Sequence, residues 1–382
     1  MGIVRTLDYK TCLVVENVET DMNKIKRLFF ECKKHILDFK FDAGTSRGVL
    51  KQKETYFVIV KSNNAPFIFG IGEAGPLPKL SLDDLPDFES KLNQICKELS
   101  NLEVELSQEE IFDFVKINIP ESLPSIRFAF ESALLDYSNK GKRLIFDSKF
   151  VSQREAIPIN GLIWMGEKDF MLEQIDRKLQ EGYDCIKMKI GAIDFEQECD
   201  LLAYIRSKFD KNQITLRVDA NGAFAPEEAL QKLNKLMDFD LHSIEQPIRQ
   251  GQILKMSDLC KKTPVPIALD EELIGIFGLK NKTQLLKQIN PQYIILKPTL
   301  LGGFRETKEW IEIAQSLNIS WWMTSALESN VGLNAIAQFT ATFDTILPQG
   351  LGTGQLYHNN INSPLIIESG YLVYDQKAKW GI

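Results

Sequence analysis

Short apolar runs that each end in a charged residue recur through the second half of the chain, roughly every 25 to 30 residues. Three of these runs end in acids, at Asp219, Glu245 and Asp270, and two end in lysines, at Lys189 and Lys297. The pattern is typical of successive strands of a (β/α) barrel, whose C-terminal ends meet on one open face. We therefore expect these five charged side chains to lie close together.

The same periodicity predicts one barrel over residues 151–354. Helices are predicted between its strands, over residues 170–179, where Gly182 ends the helix, and from Pro226 onward. Strands are predicted near residues 157, 185, 215, 241, 267, 293 and 320, with an eighth near residue 346 left open.

The first 150 residues have a mixed pattern that predicts an α+β domain. A segment of the tail, about residues 355–382, could pack back on this domain. Small and polar residues at 44–50 predict a mobile loop. Strands are predicted over residues 12–18, 55–60 and 67–71, and helices over residues 21–35, 84–99 and 121–137.

Composition narrows the classes of function. The chain has 382 residues, 44% of them hydrophobic, a formal charge of −7 and a pI near 5.3. An acidic chain without a basic block argues against a nucleic-acid partner, and no apolar run is long enough to span a membrane. Six scattered cysteines and an N-terminus without a secretory apolar segment favour a reduced, cytoplasmic protein. The oligomeric state stays open.

The three acids predict a metal site. Converging carboxylates repel one another and are neutralised best by a hard cation such as Mg²⁺, with Mn²⁺ as an alternative. Asn221 and Glu271 follow the acids closely and are expected to orient them from behind, although both could be plain turn residues. Any single acid could instead be a helix cap or a solvated loop residue.

The lysines predict proton chemistry beside that metal. Lys187 and Lys189 are two residues apart and point to the same strand face. Neighbouring cations and partial desolvation lower the pKa of a lysine, which can then act as a base. Lys297 alone could also be a salt-bridge partner or a Schiff-base nucleophile. His242 and the pair Trp321 and Trp322 are expected to pack in the core, although one ring of the pair could face the substrate.

A glycine-rich segment imitates a nucleotide-binding motif. Residues 70–75 spell G-x-G-x-x-G after an apolar strand. Pro76 and Pro78 follow where such a motif requires a helix to begin. We therefore interpret the segment as a tight turn that leaves the strand.

Five short motifs in fixed order carry a family resemblance. The chain resembles the enolase superfamily, in its muconate-lactonising subgroup, over nearly its whole length. The resemblance implies a modified (β/α)8-type, TIM-like (β/α)7β barrel with an N-terminal α+β capping domain. The subgroup that uses a late catalytic histidine is disfavoured, because strand 320–324 has none. The motifs are Lys-x-Lys (187–189), Asp-Ala-Asn (219–221), Ile-Glu-Gln-Pro (244–247), Leu-Asp-Glu (269–271) and Leu-Lys-Pro (296–298).

Within the subgroup, the chain is similar to dehydratases of menaquinone biosynthesis, which are lyases. This resemblance implies that Lys189 removes the α-proton of a cyclohexadiene carboxylate and then protonates the departing hydroxyl group. Lys297 would stabilise the anionic intermediate from the opposite face, and Lys187 would lower the pKa of Lys189. The segments that carry the likeness are 158–166, 217–219, 325–329 and 350–354.

The resemblance also implies contacts to the substrate. Ser325, together with Gly352 and Thr353, would hold a succinyl side chain, and Arg217 is a further candidate. The loop at 44–50 would cover the barrel mouth as a lid that carries Arg47; the alternative is an ordinary surface loop.

Other functions stay open at this point. N-acylamino-acid racemases and dipeptide epimerases use the same metal site and lysines. A dipeptide needs an acid for its ammonium group at the last strand, and residues 350–356 contain none. An N-acyl substrate has no such need, so racemisation is harder to exclude. A Schiff-base aldolase that uses Lys297, or a non-catalytic carboxylate-binding protein, are the alternatives from other classes.

Overall fold

The computed structural model describes residues 26–45, 48–63, 65–344 and 346–382. The N-terminal elements form the capping domain. Its strands are β1 (Lys26–Arg27), β2 (Phe29–Thr45), β3 (Gly48–Ser62), β4 (Ala65–Ala74) and β5 (Glu103–Val104), and its helices are α1 (Phe88–Leu99), α2 (Gln108–Asn118), α3 (Pro124–Ser138) and α4 (Lys149–Ser152).

Strands β2, β3 and β4 form an antiparallel sheet that corrects one prediction. Residues 26–27 and 29–35 of the predicted helix 21–35 are strand, and β2 pairs with β3 along most of its length. Leu28 and Phe30 alternate toward the core, where the Phe30 ring packs on the Phe130 ring of α3. Pairing and burial therefore outweigh local helical preference. The predicted strand 12–18 lies outside the described residues.

The glycines of the G-x-G-x-x-G segment let α3 lie directly on the sheet. A Cβ atom at Gly70 would lie 2.1 Å from the Ala133 carbonyl oxygen, and one at Gly72 would lie 1.9 Å from that of Ala129. Only glycine permits this approach. Both residues therefore serve helix packing, and β4 continues to Ala74.

The barrel follows, with seven parallel strands in sequential order. Short 3₁₀ turns lie at Met237–Phe239 and Glu271–Leu273. The barrel strands and helices are β7 (Gly161–Ile163), α5 (Lys168–Gln180), β8 (Cys185–Lys189), α6 (Phe195–Lys208), β9 (Thr215–Asp219), α7 (Pro226–Leu236), β10 (Ser243–Glu245), α8 (Ile253–Lys262), β11 (Ile267–Leu269), α9 (Leu279–Ile289), β12 (Tyr293–Leu296), α10 (Pro298–Leu301), α11 (Phe304–Ser316), β13 (Ser320–Met323) and α12 (Asn330–Thr340).

The segment near residue 346 takes the position of an eighth strand. Gln349 bridges Ile159, ahead of β7, and Gly350 bridges Thr324, after β13, both in parallel. The ring is thus closed by single bridges, and a 3₁₀ turn at Gly352–Gln355 follows.

The tail contacts both parts of the molecule. The predicted first barrel strand 157–163 is split: β6 (Ile157–Pro158) joins a small antiparallel sheet with β14 (Leu365–Glu368) and β15 (Tyr371–Tyr374), and only β7 joins the barrel. Tyr357 pairs with Phe39 of β2, and its ring packs on the Phe39 ring at 4.7 Å. The tail therefore ties the capping sheet to the barrel.

The five described cysteines are free thiols, and Cys185 is buried in β8 as predicted. None of the described helices is long and apolar enough to cross a membrane.

Candidate active site

A cavity of about 630 Å³ lies between the capping domain and the C-terminal ends of the barrel strands. The capping domain contributes Lys40 and Phe41 of β2 and the start of β3, at Gly48, Val49 and Leu50. The barrel contributes a polar floor of lysine, acid and amide side chains: Lys187, Lys189, Asp219, Asn221 and Lys297.

The three predicted metal ligands end neighbouring strands. Glu245 at the end of β10 lies in register with Asp219 at the end of β9. Asp270 directly follows β11, which pairs with the other side of β10. All three are nearly fully buried. Parallel strands lie about 4.8 Å apart, so the fold holds three carboxylates side by side.

Three lysines neutralise these acids from the two flanking strands, β8 and β12. Lys187 forms ion pairs with Asp219, at 3.1 Å, and with Glu245. The Lys189 Nζ atom lies 3.1 Å from Asp219. On the other side, Lys297 pairs with Asp270 and lies 3.9 Å from Glu245. Lys189 and Lys297 thus lie at opposite ends of the carboxylate row.

Burial and charge act against each other on these groups. Burial and the neighbouring Asp219 raise the pKa of Glu245 to about 7, although Lys187 opposes the shift. Burial would also raise the pKa of Asp219, but Lys187 and Lys189 outweigh it and hold that pKa below its usual range. Burial raises the pKa of Asp270 against the effect of Lys297.

Two of the lysine ammonium groups are stabilised by the same contacts. Burial lowers the pKa of Lys187, but Asp219 and Glu245 more than reverse the effect, so the pKa is raised. The pKa of Lys297 is raised in the same way, because Asp270 and Glu245 outweigh its burial.

Asn221 and Glu271 form a second layer behind the lysine at the end of β8. The Lys189 ammonium group donates to the Asn221 side-chain oxygen at 2.8 Å. The Asn221 amide donates in turn to Glu271 at 3.1 Å, and the Asn221 backbone amide donates to Asp219. Asn221 adopts a left-handed φ of 44°, which asparagine tolerates better than most residues. These contacts fix the direction of the Lys189 side chain.

The donor set fits a hard divalent cation, although the carboxylates are not arranged as a closed cage. Across the described part of the chain, no three acidic, cysteine or histidine side chains converge closely enough to enclose a metal ion. The carboxylates of Asp219, Glu245 and Asp270 instead contact the lysines. The Glu245 Oε1 atom is buried without a hydrogen-bond partner among the described residues, which leaves a charged oxygen available as a ligand.

The residues near the last strands that were predicted to contact the substrate's succinyl side chain lie in the cavity wall. Ser325, Gly352 and Thr353 all line it. The Ser325 hydroxyl donates to Glu328 at 2.6 Å and accepts from Thr353 at 2.8 Å and from the Leu327 amide at 3.0 Å. Because its proton is already donated to Glu328, Ser325 shapes this wall rather than offering a donor to it.

Arg217 does not line the cavity, which corrects its predicted contact with the substrate. Its guanidinium group lies 3.9 Å from the Trp322 ring centroid inside the barrel and donates to the Pro348 carbonyl at 2.7 Å. The physical reason is strand alternation: Arg217 lies two residues before Asp219 and hence one layer deeper. His242 packs on Tyr293 at 4.8 Å, as predicted.

The predicted loop at 44–50 is the tip of the β2–β3 hairpin. Arg47 lies outside the described residues. Gly44 pairs with Val49 across the hairpin and bridges Met165 of the barrel, so it is strand rather than hinge. Gly48 has a φ of 124°, which favours glycine at the start of β3. The described residues on both sides of the tip thus lie over the barrel mouth, where Gly48, Val49 and Leu50 line the cavity and Gly44 bridges Met165.

Sequence reasoning missed a group of buried charges behind the cavity wall: Lys53, Glu73 and Glu328. It also missed Phe41 and Trp164, whose rings pack at 5.7 Å and line the cavity. Neither set has a local sequence signal, because its members come from strands far apart in the chain.

Residues 171–382 match the family described as "Enolase C-terminal domain-like". The chain is 48% identical to an o-succinylbenzoate synthase from Desulfotalea psychrophila, over 88% of this chain and 96% of that protein. It belongs to the o-succinylbenzoate synthase family of the enolase superfamily.

Solved structures agree with this membership. The structure of MenC from Desulfotalea psychrophila superposes with a TM-score of 0.80 at 43% identity, and covers 91% of this chain and 100% of that one. The L-Ala-D/L-Glu epimerase of Bacillus subtilis has a TM-score of 0.79 at 19% identity, over 94% of this chain and 98% of its own, which shows the shared fold. The capping domain and barrel are therefore those of the superfamily, and the predicted fold is confirmed.

Proposed function

We propose that this chain is an o-succinylbenzoate synthase, a lyase that removes water from 2-succinyl-6-hydroxy-2,4-cyclohexadiene-1-carboxylate in menaquinone biosynthesis. The observation that carries the proposal is the placement of Lys189 and Lys297 at opposite ends of one carboxylate row, in a chain 48% identical to such a synthase. An elimination through a planar anion needs a base on one face and a cation on the other.

Asp219, Glu245 and Asp270 would hold the metal, and Mg²⁺ suits three oxygen donors on neighbouring strands. When bound, Mg²⁺ supplies a positive charge that stabilises the negative charge developing on the substrate's carboxylate. The rest of the chemistry belongs to side chains of this chain.

Lys189 is the acid and base of the reaction. Its neutral amine takes the α-proton, and the resulting ammonium group then donates that proton to the hydroxyl group on the same face, which leaves as water. The ring becomes aromatic, and Lys189 is returned to its starting state. Asn221 supports this role, because its hydrogen bond keeps the Lys189 Nζ atom beside Asp219.

Lys297 is the electrostatic partner on the opposite face. Its ammonium group is kept charged by Asp270 and Glu245. A fixed cation near a flat anionic ring stabilises the intermediate without transferring a proton. Lys187 lies between Asp219 and Glu245 on the floor of the cavity, where it would contact the substrate's carboxylate.

The succinyl side chain of the substrate lies toward the wall formed by Ser325, Leu327, Gly352 and Thr353, the part of the cavity next to the capping hairpin. Backbone amides near Gly352 would provide its polar contacts, whereas the Thr353 hydroxyl, which already donates to Ser325, shapes the wall. We further propose a cytoplasmic enzyme with a small carboxylate as its partner, consistent with free cysteines and a net charge of −7.

Racemisation of N-acylamino acids is the second candidate, because Lys189 and Lys297 could each exchange a proton from one face. The chain is 26% identical to an N-succinylamino acid racemase from Amycolatopsis over 64% of its length. A dipeptide substrate is less suited, since residues 350–356 place no acid in this wall. A Schiff-base role for Lys297 is disfavoured by its ion pair with Asp270, because that chemistry needs a neutral amine and the ion pair favours the ammonium form.

One experiment separates these functions. The cyclohexadiene substrate is supplied with Mg²⁺, and aromatisation is followed by absorbance, with N-succinylamino acids assayed beside it by polarimetry. We expect fast dehydration that EDTA abolishes. Activity that resists EDTA and is trapped by borohydride would instead support the aldolase.

A further inference from the structure

A buried lysine lies at the boundary between the capping domain and the barrel, outside the catalytic floor. Lys53 of β3 is 1% exposed, and its ammonium group has no hydrogen-bond partner among the described residues. The absence of a side chain at Gly75 makes room for it, because a Cβ atom there would lie 2.5 Å from the Lys53 Nζ atom. A buried ammonium group is unfavourable unless nearby negative charge compensates it.

Two buried carboxylates lie next to Lys53. The same Cβ atom at Gly75 would lie 3.6 Å from the Glu73 Oε1 atom, and one at Gly332 would lie 3.0 Å from the Glu73 Oε2 atom and 2.8 Å from the Glu328 Cγ atom. Glu73 of β4 accepts from the Thr55 hydroxyl at 2.7 Å and from the backbone amides of Ser329 and Gly332 at the start of α12, at 2.8 Å and 2.9 Å. A carboxylate is favoured at a helix N-terminus. The capping domain therefore caps a helix of the barrel.

The second carboxylate, Glu328, reaches the cavity wall. It accepts from the hydroxyl of Thr299 at 2.5 Å, from that of Ser325 at 2.6 Å and from the Ala326 amide at 2.8 Å. Ser325 in turn accepts from Thr353. The hydrogen bonds thus run without a break from Glu328 to two residues that line the cavity.

The wall itself is held in a strained backbone conformation. Leu327 has a φ of 64°, which is unfavourable for a leucine. Its carbonyl accepts from the Tyr357 hydroxyl at 2.7 Å, and its amide donates to Ser325. Such strain persists only where the surrounding contacts fix the backbone. Here the hydrogen bonds run from the Leu327 amide through the Ser325 hydroxyl to Glu328.

We propose that Lys53 is a positioning residue of this active site: its buried charge compensates Glu73 and Glu328, and so fixes the wall of Ser325, Leu327 and Thr353 against which the substrate's side chain lies. Through Lys53, the capping domain thereby sets the shape of the succinyl site, although Lys53 itself does not contact the substrate. This inference rests on the proposed function for the identity of that side chain.

Burial and the attraction between opposite charges act against each other on Lys53 and Glu328. Burial lowers the pKa of Lys53, and Glu73 and Glu328 oppose the shift. Burial likewise raises the pKa of Glu328, and Lys53 is the first group that opposes it. Without Lys53, the two carboxylates would face each other in a buried space with no cation to compensate them.

The test is the variant Lys53→Met, which keeps an unbranched side chain, shorter by one heavy atom, and removes its charge. We expect the KM for the cyclohexadiene substrate, and the Kd of the product measured by calorimetry, to rise about tenfold, while kcat falls less than about threefold. Adding Glu328→Gln to Lys53→Met should recover most of the lost affinity, since the amide can still accept from Ser325 and leaves one buried carboxylate fewer.

A second pair of variants tests the proposal even if the Lys53→Met protein does not fold. Thr299→Val removes one hydrogen bond to Glu328 behind the wall, and should raise KM by about threefold. Thr307→Val is its matched control: the Thr307 hydroxyl is also buried but donates to the Gly303 carbonyl in α11. It should lower the melting temperature and leave KM unchanged.

These variants distinguish a failure of the proposed function from a failure of the positioning role. A wild-type enzyme that does not dehydrate the substrate refutes the proposed function. An active wild type whose KM and Kd do not change in Lys53→Met, or in Thr299→Val where Lys53→Met does not fold, refutes the positioning role.

Discussion

Two groups of buried charges lie on either side of the cavity, and they are arranged differently. On the barrel floor, Asp219, Glu245 and Asp270 are contacted mainly by lysines that approach from the flanking strands. Behind the opposite wall, Glu73 and Glu328 are contacted mainly by hydroxyl groups and backbone amides.

This difference indicates separate roles: the floor residues carry out the reaction, and the wall residues position the substrate. Ion pairs between long lysines and carboxylates can exchange partners as charge changes, and Glu245 keeps one buried oxygen without a hydrogen bond. Backbone amides and short hydroxyl groups cannot move far, so the carboxylates they hold are fixed. We therefore expect variants of the floor to change turnover, and variants of the wall to change affinity.

The largest effect is expected on the floor, at Glu245. Glu245→Gln removes the charge of the central metal ligand and should reduce turnover by more than about a thousandfold, well beyond the typical effect of outer groups. Circular dichroism and the melting temperature should stay near those of wild type. Glu306→Gln is the control, because it removes a buried carboxylate paired with Lys282 in the outer helix layer. Should Glu245→Gln remain active, the metal site would have to lie elsewhere.

The two facing lysines should differ in what they lose. Lys189→Ala should reduce both turnover and exchange of the α-hydrogen with deuterated solvent, each by about 10²- to 10⁴-fold, because it removes the base that takes the α-proton. Lys297→Ala should lose turnover to a similar extent but keep measurable exchange. Mass spectrometry of recovered substrate measures the exchange. If Lys297→Ala blocks exchange from one enantiomer of an N-succinylamino acid only, the two-base racemase is the better description.

Asn221 should give a smaller effect of the same kind. Asn221→Ala removes the hydrogen bond that directs Lys189 and the contact with Glu271. Because the substrate's binding contacts are untouched, kcat should fall about 10- to 100-fold with little change in KM. A change in KM alone would assign Asn221 to the binding wall instead.

The floor could be predicted from sequence and the wall could not, for a physical reason. Asp219, Glu245 and Asp270 each end or directly follow a separate strand, so the local pattern of apolar run and charge already fixes their places. The bond from Ser329 to Glu73 joins residues 256 positions apart, and no local pattern encodes it. The contact of Arg217 with the substrate was inferred from the family resemblance alone, whereas its position two residues before Asp219 places it one layer deeper in the barrel.

Residues 26–37 show the limit for secondary structure. Leu28, Cys32 and Ile36 have the spacing of a helix face, whereas Leu28, Phe30 and Cys32 have the alternation of a strand. Pairing with β3 decides in favour of the strand and leaves Ile36 exposed. The split of the predicted first barrel strand is also set by pairing between distant parts of the chain, because β6 pairs with β15 of the tail and not with the barrel.

The smallest effect on activity, and a purely structural one, is expected at a third boundary carboxylate. Glu131 of α3 accepts from the Phe304 amide at the start of α11, so it also joins the two domains. Burial raises its pKa to about 8, against the backbone hydrogen bonds to Phe304 and Arg305. In contrast to Glu328, which accepts a hydrogen bond from the wall residue Ser325, Glu131 accepts from α11 and is not among the residues that line the cavity.

The ionisation of Glu131 should change the stability of the protein in one direction. Between the ordinary pKa of 4.5 and about 8, the folded state keeps a proton that the unfolded state has lost, so stability falls as pH rises through this window. Glu131→Gln cannot ionise. Its free energy of unfolding, relative to wild type, should therefore increase by on the order of 2 kcal/mol from pH 5 to pH 8, while KM and kcat stay the same. Urea titrations at both pH values measure it, and a pH-independent difference would show that Glu131 is already ionised in the fold.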